Sequence, residues 1–200
     1  MPPQSATAKT ADKASRSLVG SLAIAGTYGI LGAAISFFGR EPGTLPENVL
    51  VELAPSIVVI MFFLMYYEIG DVMGVGIAKR HGAAASTTSK ANLIYDEYSN
   101  EIVPEVVYLA QRVQTNQVEQ MPVFIVGTLG CALYVNGTVA AVLGLLWVLV
   151  RIQYAMVYRG AVGLKYKHAM KVIIKYTIPA YFLANGMVMA TLIHALRCLL

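Results

Sequence analysis

Residues 110–122 read AQRVQTNQVEQMP and run directly into the apolar stretch Val123–Val135. A single helix here carries an arginine, a glutamate, an asparagine and four glutamines in its first turns, followed by a surface suited to hydrocarbon. Charges at bilayer depth cost on the order of 3 kcal/mol each, so each one requires a partner or a water-filled cavity. The segment predicts a membrane helix with a polar constellation whose partners lie elsewhere in the chain.

The composition places the whole chain in the membrane class. Of its 200 residues, 57% are apolar and 13% are charged, and the mean hydropathy is +0.62, far from the usual balance of soluble proteins. The uncharged stretch Leu18–Phe38 is about 31 Å long as a helix, enough to cross a hydrocarbon core of roughly 30 Å. We expect an all-α integral membrane protein that contacts membrane lipids and binds no nucleic acid.

Long apolar segments predict five membrane crossings separated by polar connections. The segments are Leu18–Phe38, 54–78, 104–134, Thr138–Tyr158 and 172–200. The connection at 79–103 is expected to be the largest extramembrane segment and to be partly mobile. Asn136-Gly137-Thr138 matches a glycosylation sequon, but it lies in a tight turn against the membrane, so we interpret it as a chance match.

Thiol and imidazole groups give little support for a metal or disulfide framework. Cys131 and Cys198 each lie in an apolar segment and are interpreted as small buried hydrophobic residues. The three histidines are scattered without ligand spacing, so no metal is expected.

Two polar stripes fall on neighbouring helices. Arg112, Asn116 and Glu119 lie within roughly 60° of one another at about 100° per residue. In the next helix, arginine and two tyrosines recur at spacings of three and four; these are Arg151, Tyr154 and Tyr158. Because the two helices are antiparallel, the stripes can face each other near the same end of the bundle.

The stripes allow two interpretations, which the spacing alone leaves open. In the first, Arg112 and Arg151 pair with Glu119, Glu68 or Asp71 and lock the bundle. In the second, they bind a small zwitterion with several carboxylates, because arginine grips a carboxylate through two parallel hydrogen bonds. Additional donors such as Gln114 favour the second interpretation, and glutathione is such a zwitterion.

Two motifs stand on these helices: R-x-Q-x-N-x-x-E-x-x-P, which begins at Arg112, and R-x-x-Y-x-x-x-Y, which begins at Arg151. Together they resemble the MAPEG family of membrane-associated proteins in eicosanoid and glutathione metabolism. The resemblance is closest to the microsomal glutathione transferase branch of that family. The resemblance covers 106–158. It implies a four-helix transmembrane bundle, assembled as a homotrimer, with glutathione as co-substrate between neighbouring subunits. The residues that match glutathione contacts are Arg112, Gln114, Asn116, Glu119, Arg151, Tyr154 and Tyr158.

The resemblance also divides the chain and shows two departures. The resemblance implies the four-helix domain at 54–200. Charge and hydropathy predict a basic tail at 1–16 and a transmembrane helix at 17–38, which is additional to the family's four-helix plan and could dock other membrane subunits. Gln120 stands where the family's transferases often have tyrosine, and Lys165 stands where relatives have an arginine that stabilises the glutathione thiolate. Our hypothesis is that Lys165 or Arg159 supplies this cation.

These observations predict a glutathione-dependent membrane transferase or peroxidase that acts on hydrophobic electrophiles or lipid hydroperoxides. The alternative is a non-catalytic structural or lipid-binding subunit of a larger membrane complex, which the altered positions and the added first helix favour. We expect the protein in the endoplasmic reticulum, with a mitochondrial or other organelle membrane as the alternative.

Overall fold

The computed structural model describes residues 6–41, 44, 46–86, 93–96, 100–162 and 166–199. In chain order the elements are α1 (Ala6–Ser36), α2 (Val49–Tyr66), a π-helical turn (Tyr67–Val72), α3 (Met73–Ser86), β1 (Leu93–Asp96), β2 (Glu101–Pro104), α4 (Glu105–Tyr134), α5 (Gly137–Arg159) and α6 (Tyr166–Leu199). Helix α6 packs against α1, α4 and α5, and α2 packs against α4 and α5. The protein is a helical membrane bundle, and its described residues include a small two-stranded hairpin.

Three helices within the described ranges are long and apolar enough to cross a membrane: Val49–Gly82, Gly137–Arg159 and Ile174–Leu199. The first of these runs through α2, the π-helical turn and α3. Helix α4 falls short because its first half carries the polar segment, and the apolar part of α1, Ser21–Ser36, is shorter than the other three. Three of the five predicted crossings are therefore identified by length and composition, and the other two remain predictions.

The first helix begins at Ala6, inside the segment that the sequence suggested as a basic tail. Alanine and lysine are strong helix formers, so residues 6–17 extend the apolar helix instead of ending it. Likewise α6 begins at Tyr166, one to two turns before the predicted start near residue 172. Apolar periodicity located both helices but not their polar first turns.

The connection before α4 contains an antiparallel hairpin, which the sequence analysis did not predict. Leu93 lies opposite Pro104, and Tyr95 lies opposite Ile102. Asn100 adopts a left-handed φ of 55° in the turn, a conformation that asparagine tolerates better than most residues, and its Oδ1 accepts a hydrogen bond from the Tyr95 hydroxyl at 3.0 Å. The hairpin ends where α4 begins.

Three aromatic rings form the centre of the core. Phe124 of α4 and Trp147 of α5 stack with centroids 4.0 Å apart, and Phe63 of α2 meets Trp147 edge-on at 4.9 Å. All three side chains are fully buried. Trp147 lies one helical turn before Arg151, so the aromatic core supports the polar site from one side.

Helix α1 is attached to α6 by close backbone approach and two polar contacts. A Cβ at Gly32 would lie 2.9 Å from the backbone nitrogen of Ala190, so only glycine allows this approach. The Ser36 hydroxyl donates to the Ala190 carbonyl oxygen at 3.4 Å, and Nε2 of His194 lies 3.0 Å from the Ser36 carbonyl oxygen. These contacts hold the end of α1 on the bundle.

Candidate functional site

Arg151 is the centre of the polar site, and α4 supplies its hydrogen-bond partners. Its side chain is fully buried. Nε donates to the side-chain oxygen of Gln117 at 2.6 Å, and Nη2 donates to Oδ1 of Asn116 at 2.8 Å. Helical periodicity predicted that the stripes of Asn116 and Arg151 face each other, and these two side chains are in direct contact.

Aromatic faces complete the surroundings of the Arg151 guanidinium. Its Cζ lies 4.5 Å from the ring centroid of Tyr154 and 5.7 Å from that of Trp147, distances at which ring faces attract a cation. Nη1 has no hydrogen-bond partner among the described residues, and no carboxylate among them forms an ion pair with Arg151. A buried ion ordinarily costs several kcal/mol unless an opposite charge compensates it.

Arg159, two turns further along α5, has a different partner. Its Nη2 forms an ion pair with Oδ1 of Asp71, whose side chain is fully buried. The π-helical turn at Tyr67–Val72 contains this carboxylate, and the guanidinium lies over Gly74, where a Cβ would be 3.3 Å from Nη2. The geometry therefore places Arg159, predicted to stabilise a thiolate, in an ion pair that joins α5 to the π-helical turn.

Arg151 forms no direct ion pair within the described ranges, and an acidic residue that the ion-pairing interpretation offered it has another partner. Asp71 was considered as a partner for Arg112 or Arg151, but it pairs with Arg159. Glu68, the other acidic residue of this turn, is exposed. Arg151 has neutral amides where that interpretation expected a carboxylate.

The remaining members of the predicted stripes are spread around α4 and α5. Gln114 donates from Nε2 to the Tyr67 hydroxyl at 3.5 Å. The rings of Tyr154 and Tyr158 are 5.5 Å apart, with Tyr154 buried and Tyr158 half-buried. Arg112 is half-buried, Glu119 is exposed, and Lys165 lies outside the described residues.

The rotation of α4 explains why Glu119 does not reach Arg151. The core face of α4 carries Val113, Gln117, Gln120 and Phe124, all buried, and these residues lie within about 60° of one another on a helix. The stripe of Arg112 and Glu119 lies roughly a quarter turn or more away from this face. Asn116 is at the edge between the two and contacts Arg151.

Sequence reasoning missed Gln117, although a signal for it was present. Gln117 and Gln120 occupy positions in the apolar stripe of α4, where a hydrophobic residue is usual. A buried amide needs hydrogen-bond partners, so a glutamine in a core stripe indicates a polar neighbour on the facing helix. For Gln117 that neighbour is Arg151.

A cavity of about 360 Å³ opens between α3, α4 and the end of α5. Its lining is mostly apolar and includes Arg159 and one histidine. The lining residues are Gly74, Ile77, Ala78, His81, Val106, Ala110 and Arg159. Within the described ranges, no three His, Cys, Asp or Glu side chains cluster as a metal site would require.

Comparison with protein-family models matches residues 54–188 to the MAPEG family. The match runs from α2 through most of α6 and includes every described member of the two stripes. Helix α1 lies outside it. A search of curated protein sequences gives no match to the chain.

Proposed function

The chain belongs to the MAPEG family, and from that premise we propose that it is a glutathione-dependent membrane transferase or peroxidase of the microsomal glutathione transferase type. Family membership by itself points to glutathione-related transfer or eicosanoid metabolism. The finer assignment rests on the polar site. We propose hydrophobic electrophiles or lipid hydroperoxides as the second substrate and the endoplasmic reticulum as the membrane.

The observation that carries this proposal is the buried charge of Arg151, which has no carboxylate in direct contact among the described residues. Its contacts are two neutral amides and two aromatic faces, and the carboxylate of Asp71 acts on it at longer range while pairing with Arg159. An anionic ligand would supply an opposite charge in direct contact, and a carboxylate matches the planar geometry of guanidinium. Glutathione carries two carboxylates and one ammonium, and we propose Arg112 and Glu119, on the adjoining face of α4, as further contacts for these charged groups.

The exposed position of Glu119 supports the homotrimer that the family resemblance implies. Arg151 lies eight residues before the end of the α5 span, about 12 Å along the helix. Its contact with Asn116 places this part of α4 at the same depth, and Glu119 is about 4.5 Å deeper because the helices are antiparallel. A carboxylate facing lipid there would cost roughly 3 kcal/mol, whereas a neighbouring subunit or a ligand between subunits would cover it.

The chemistry requires a thiolate, because the protonated thiol is a poor nucleophile. We propose Lys165 as the cation beside the sulfur, since Arg159 already shares its charge with Asp71. In transfer, the sulfur forms a bond to the electrophilic carbon while the leaving group departs with its bonding electrons. In peroxide reduction, the sulfur takes the terminal oxygen and the lipid alcohol leaves; a second glutathione then reduces the sulfenic acid, releasing water and glutathione disulfide.

The cavity beside α3 supports a hydrophobic second substrate. Ile77, Ala78, Val106 and Ala110 line it with hydrocarbon, and Arg159 lies at its wall. Pockets for small molecules typically combine such an apolar lining with a few polar groups. The exposed apolar surface of the bundle is compatible with a substrate that enters from the bilayer.

Turnover by the purified protein tests the proposal. Conjugation of glutathione to an activated aryl chloride and reduction of a lipid hydroperoxide should both proceed above the uncatalysed rate. Arg112→Ala should abolish this excess, and Lys165→Ala should lower it while glutathione binding persists. Unchanged conjugation by Lys165→Ala would exclude that lysine from the thiolate role.

One observation favours a second candidate, a non-catalytic subunit of a larger membrane complex. Helix α1 lies outside the family match, and the face that α6 does not cover exposes apolar side chains such as Leu22, Ile24 and Ile30. This face suits another membrane subunit as well as it suits lipid. Glutathione binding without any turnover would favour this candidate over the enzyme.

A further inference from the structure

The two arginines on the inner part of α5 are held in chemically different ways. Arg159 pairs with the carboxylate of Asp71. Arg151, by contrast, is bound by the amides of Asn116 and Gln117, adjacent residues of α4. The ion pair neutralises one guanidinium, whereas the amides that contact the other are neutral and Asp71 acts on it only at longer range.

Gln117 contacts Arg151 at both its side chain and its backbone. Its Oε1 accepts from Nε at 2.6 Å, and its Nε2 lies 3.5 Å from the Arg151 carbonyl oxygen. Both side chains are fully buried, so solvent does not compete for these hydrogen bonds. Together with the bond from Nη2 to Asn116, this double contact fixes the plane of the guanidinium.

Nη1 is the nitrogen of the Arg151 guanidinium that α4 does not engage. Nε and Nη2 are both engaged by α4, while Nη1 has no partner within the described part of the chain. Arginine binds carboxylates best when its planar donors are pre-oriented. Nε and Nη2 hold the guanidinium of Arg151 in one plane, so the donors on Nη1 are pre-oriented in this sense.

We propose that Gln117 is a positioning residue: it orients Arg151 and, being neutral, keeps the charge of Arg151 available to a carboxylate of the ligand. A glutamate of the same shape would satisfy Nε equally well but would neutralise the guanidinium. An apolar residue at position 117 would leave the charge of Arg151 unchanged but would no longer hold its guanidinium in one orientation. The inference rests on the proposed function, because it takes glutathione as the anion.

Gln117→Glu in the full-length protein is the matched test, because it changes one charge and almost no volume. Glutathione binding to the detergent-purified protein should weaken by about 30-fold or more, the scale for losing a buried charge interaction. Thermal stability should change little, since the new carboxylate pairs with Arg151 but also adjoins the buried carboxylate of Asp71. Gln153→Glu, an exposed change of the same kind on α5, should bind glutathione as the wild type does.

Glutathione esterified at both carboxylates separates positioning from a merely structural role. If Gln117 acts through Arg151 on a ligand carboxylate, the wild type and Gln117→Glu should bind the ester equally weakly. The variant's effect should therefore disappear when the carboxylates are removed, as coupled partners require. An equal loss of affinity for glutathione and for its ester would overturn the positioning role.

The remaining outcomes each decide one point. If Gln117→Glu does not fold, Gln117→Met serves instead: it should weaken glutathione binding and leave ester binding unchanged, and wild-type affinity in this variant would overturn the inference. If the wild type binds glutathione and Gln117→Glu binds it equally well, the inference fails and the proposed function stands. A wild type that binds no glutathione would overturn both.

Discussion

Glu52 accepts a hydrogen bond from the backbone N–H of Gly137 at 2.8 Å, and the same carboxylate forms an ion pair with Arg40. Arg40 also donates from Nη1 to the Leu133 carbonyl oxygen at 3.2 Å, and its backbone N–H bonds the Val135 carbonyl oxygen. One carboxylate in the first turn of α2 thus joins the segment after α1 to the turn between α4 and α5.

We expect Glu52→Ala to lower the free energy of unfolding by about 1–3 kcal/mol, because it removes a charged hydrogen bond and leaves Arg40 without its ion-pair partner. Thermal unfolding in detergent measures this change. Glu47→Ala, at an exposed position nearby, is the control and should leave the midpoint unchanged. Equal midpoints for both variants would contradict the role given to Glu52.

Asn136 is expected to act as a helix cap and to remain unglycosylated. Its Oδ1 accepts from the backbone N–H groups of Thr138 and Val139 at 2.9 and 3.1 Å. Asn136→Ala should lower the free energy of unfolding by about 0.5–2 kcal/mol, while Asn136→Asp should retain most of it. A mobility shift on glycosidase treatment of the protein from a eukaryotic host would show that the sequon is used.

The pair of Asp71 and Arg159 should behave as a structural ion pair. Asp71→Ala leaves the guanidinium unpaired and should cost about 3 kcal/mol, at the low end for a buried pair because Arg159 is partly exposed. In the double variant with Arg159→Met, part of this loss should return. A double-mutant cycle from chemical unfolding measures the coupling, and strictly additive losses would mean that the two residues stabilise the bundle independently.

Helix α1 should separate from the bundle when its close approach to α6 is blocked. Gly32→Val places side-chain atoms against the backbone at Ala190, whereas a Cβ at Gly29 has no neighbour within 4 Å. Protease cleavage between α1 and α2 should therefore release α1 from Gly32→Val and not from Gly29→Val, as judged by co-purification. Equal retention of α1 in both variants would contradict the packing role of Gly32.

Helical periodicity correctly predicted which residues share one face of a helix. The polar stripes of α4 and α5 could be found this way, because residues three and four apart share a face. Their meeting followed from the short turn between the two helices. The contact between Asn116 and Arg151 is the result.

Partner choice could not be predicted in the same way, because it depends on helix rotation and local geometry. A rotation of α4 that buries Gln117 gives Arg151 an amide, and a rotation toward Glu119 would have given it a carboxylate. The π-helical turn before α3 likewise belongs to no periodic pattern that was considered, and it is this turn that contains Asp71, the partner of Arg159. The left-handed conformation of Asn100, which closes the hairpin, is a further local feature of this kind.

Arg151, and not Arg159, is expected to bind the anionic ligand. Calorimetric titration of glutathione into Arg151→Lys and Arg159→Lys distinguishes the two arginines, because both variants keep the positive charge and lose the planar donors. We expect Arg151→Lys to weaken binding by about tenfold or more and Arg159→Lys to bind nearly as the wild type does, since lysine can still pair with Asp71. Wild-type affinity in Arg151→Lys, or a loss confined to Arg159→Lys, would show that Arg151 does not bind the ligand.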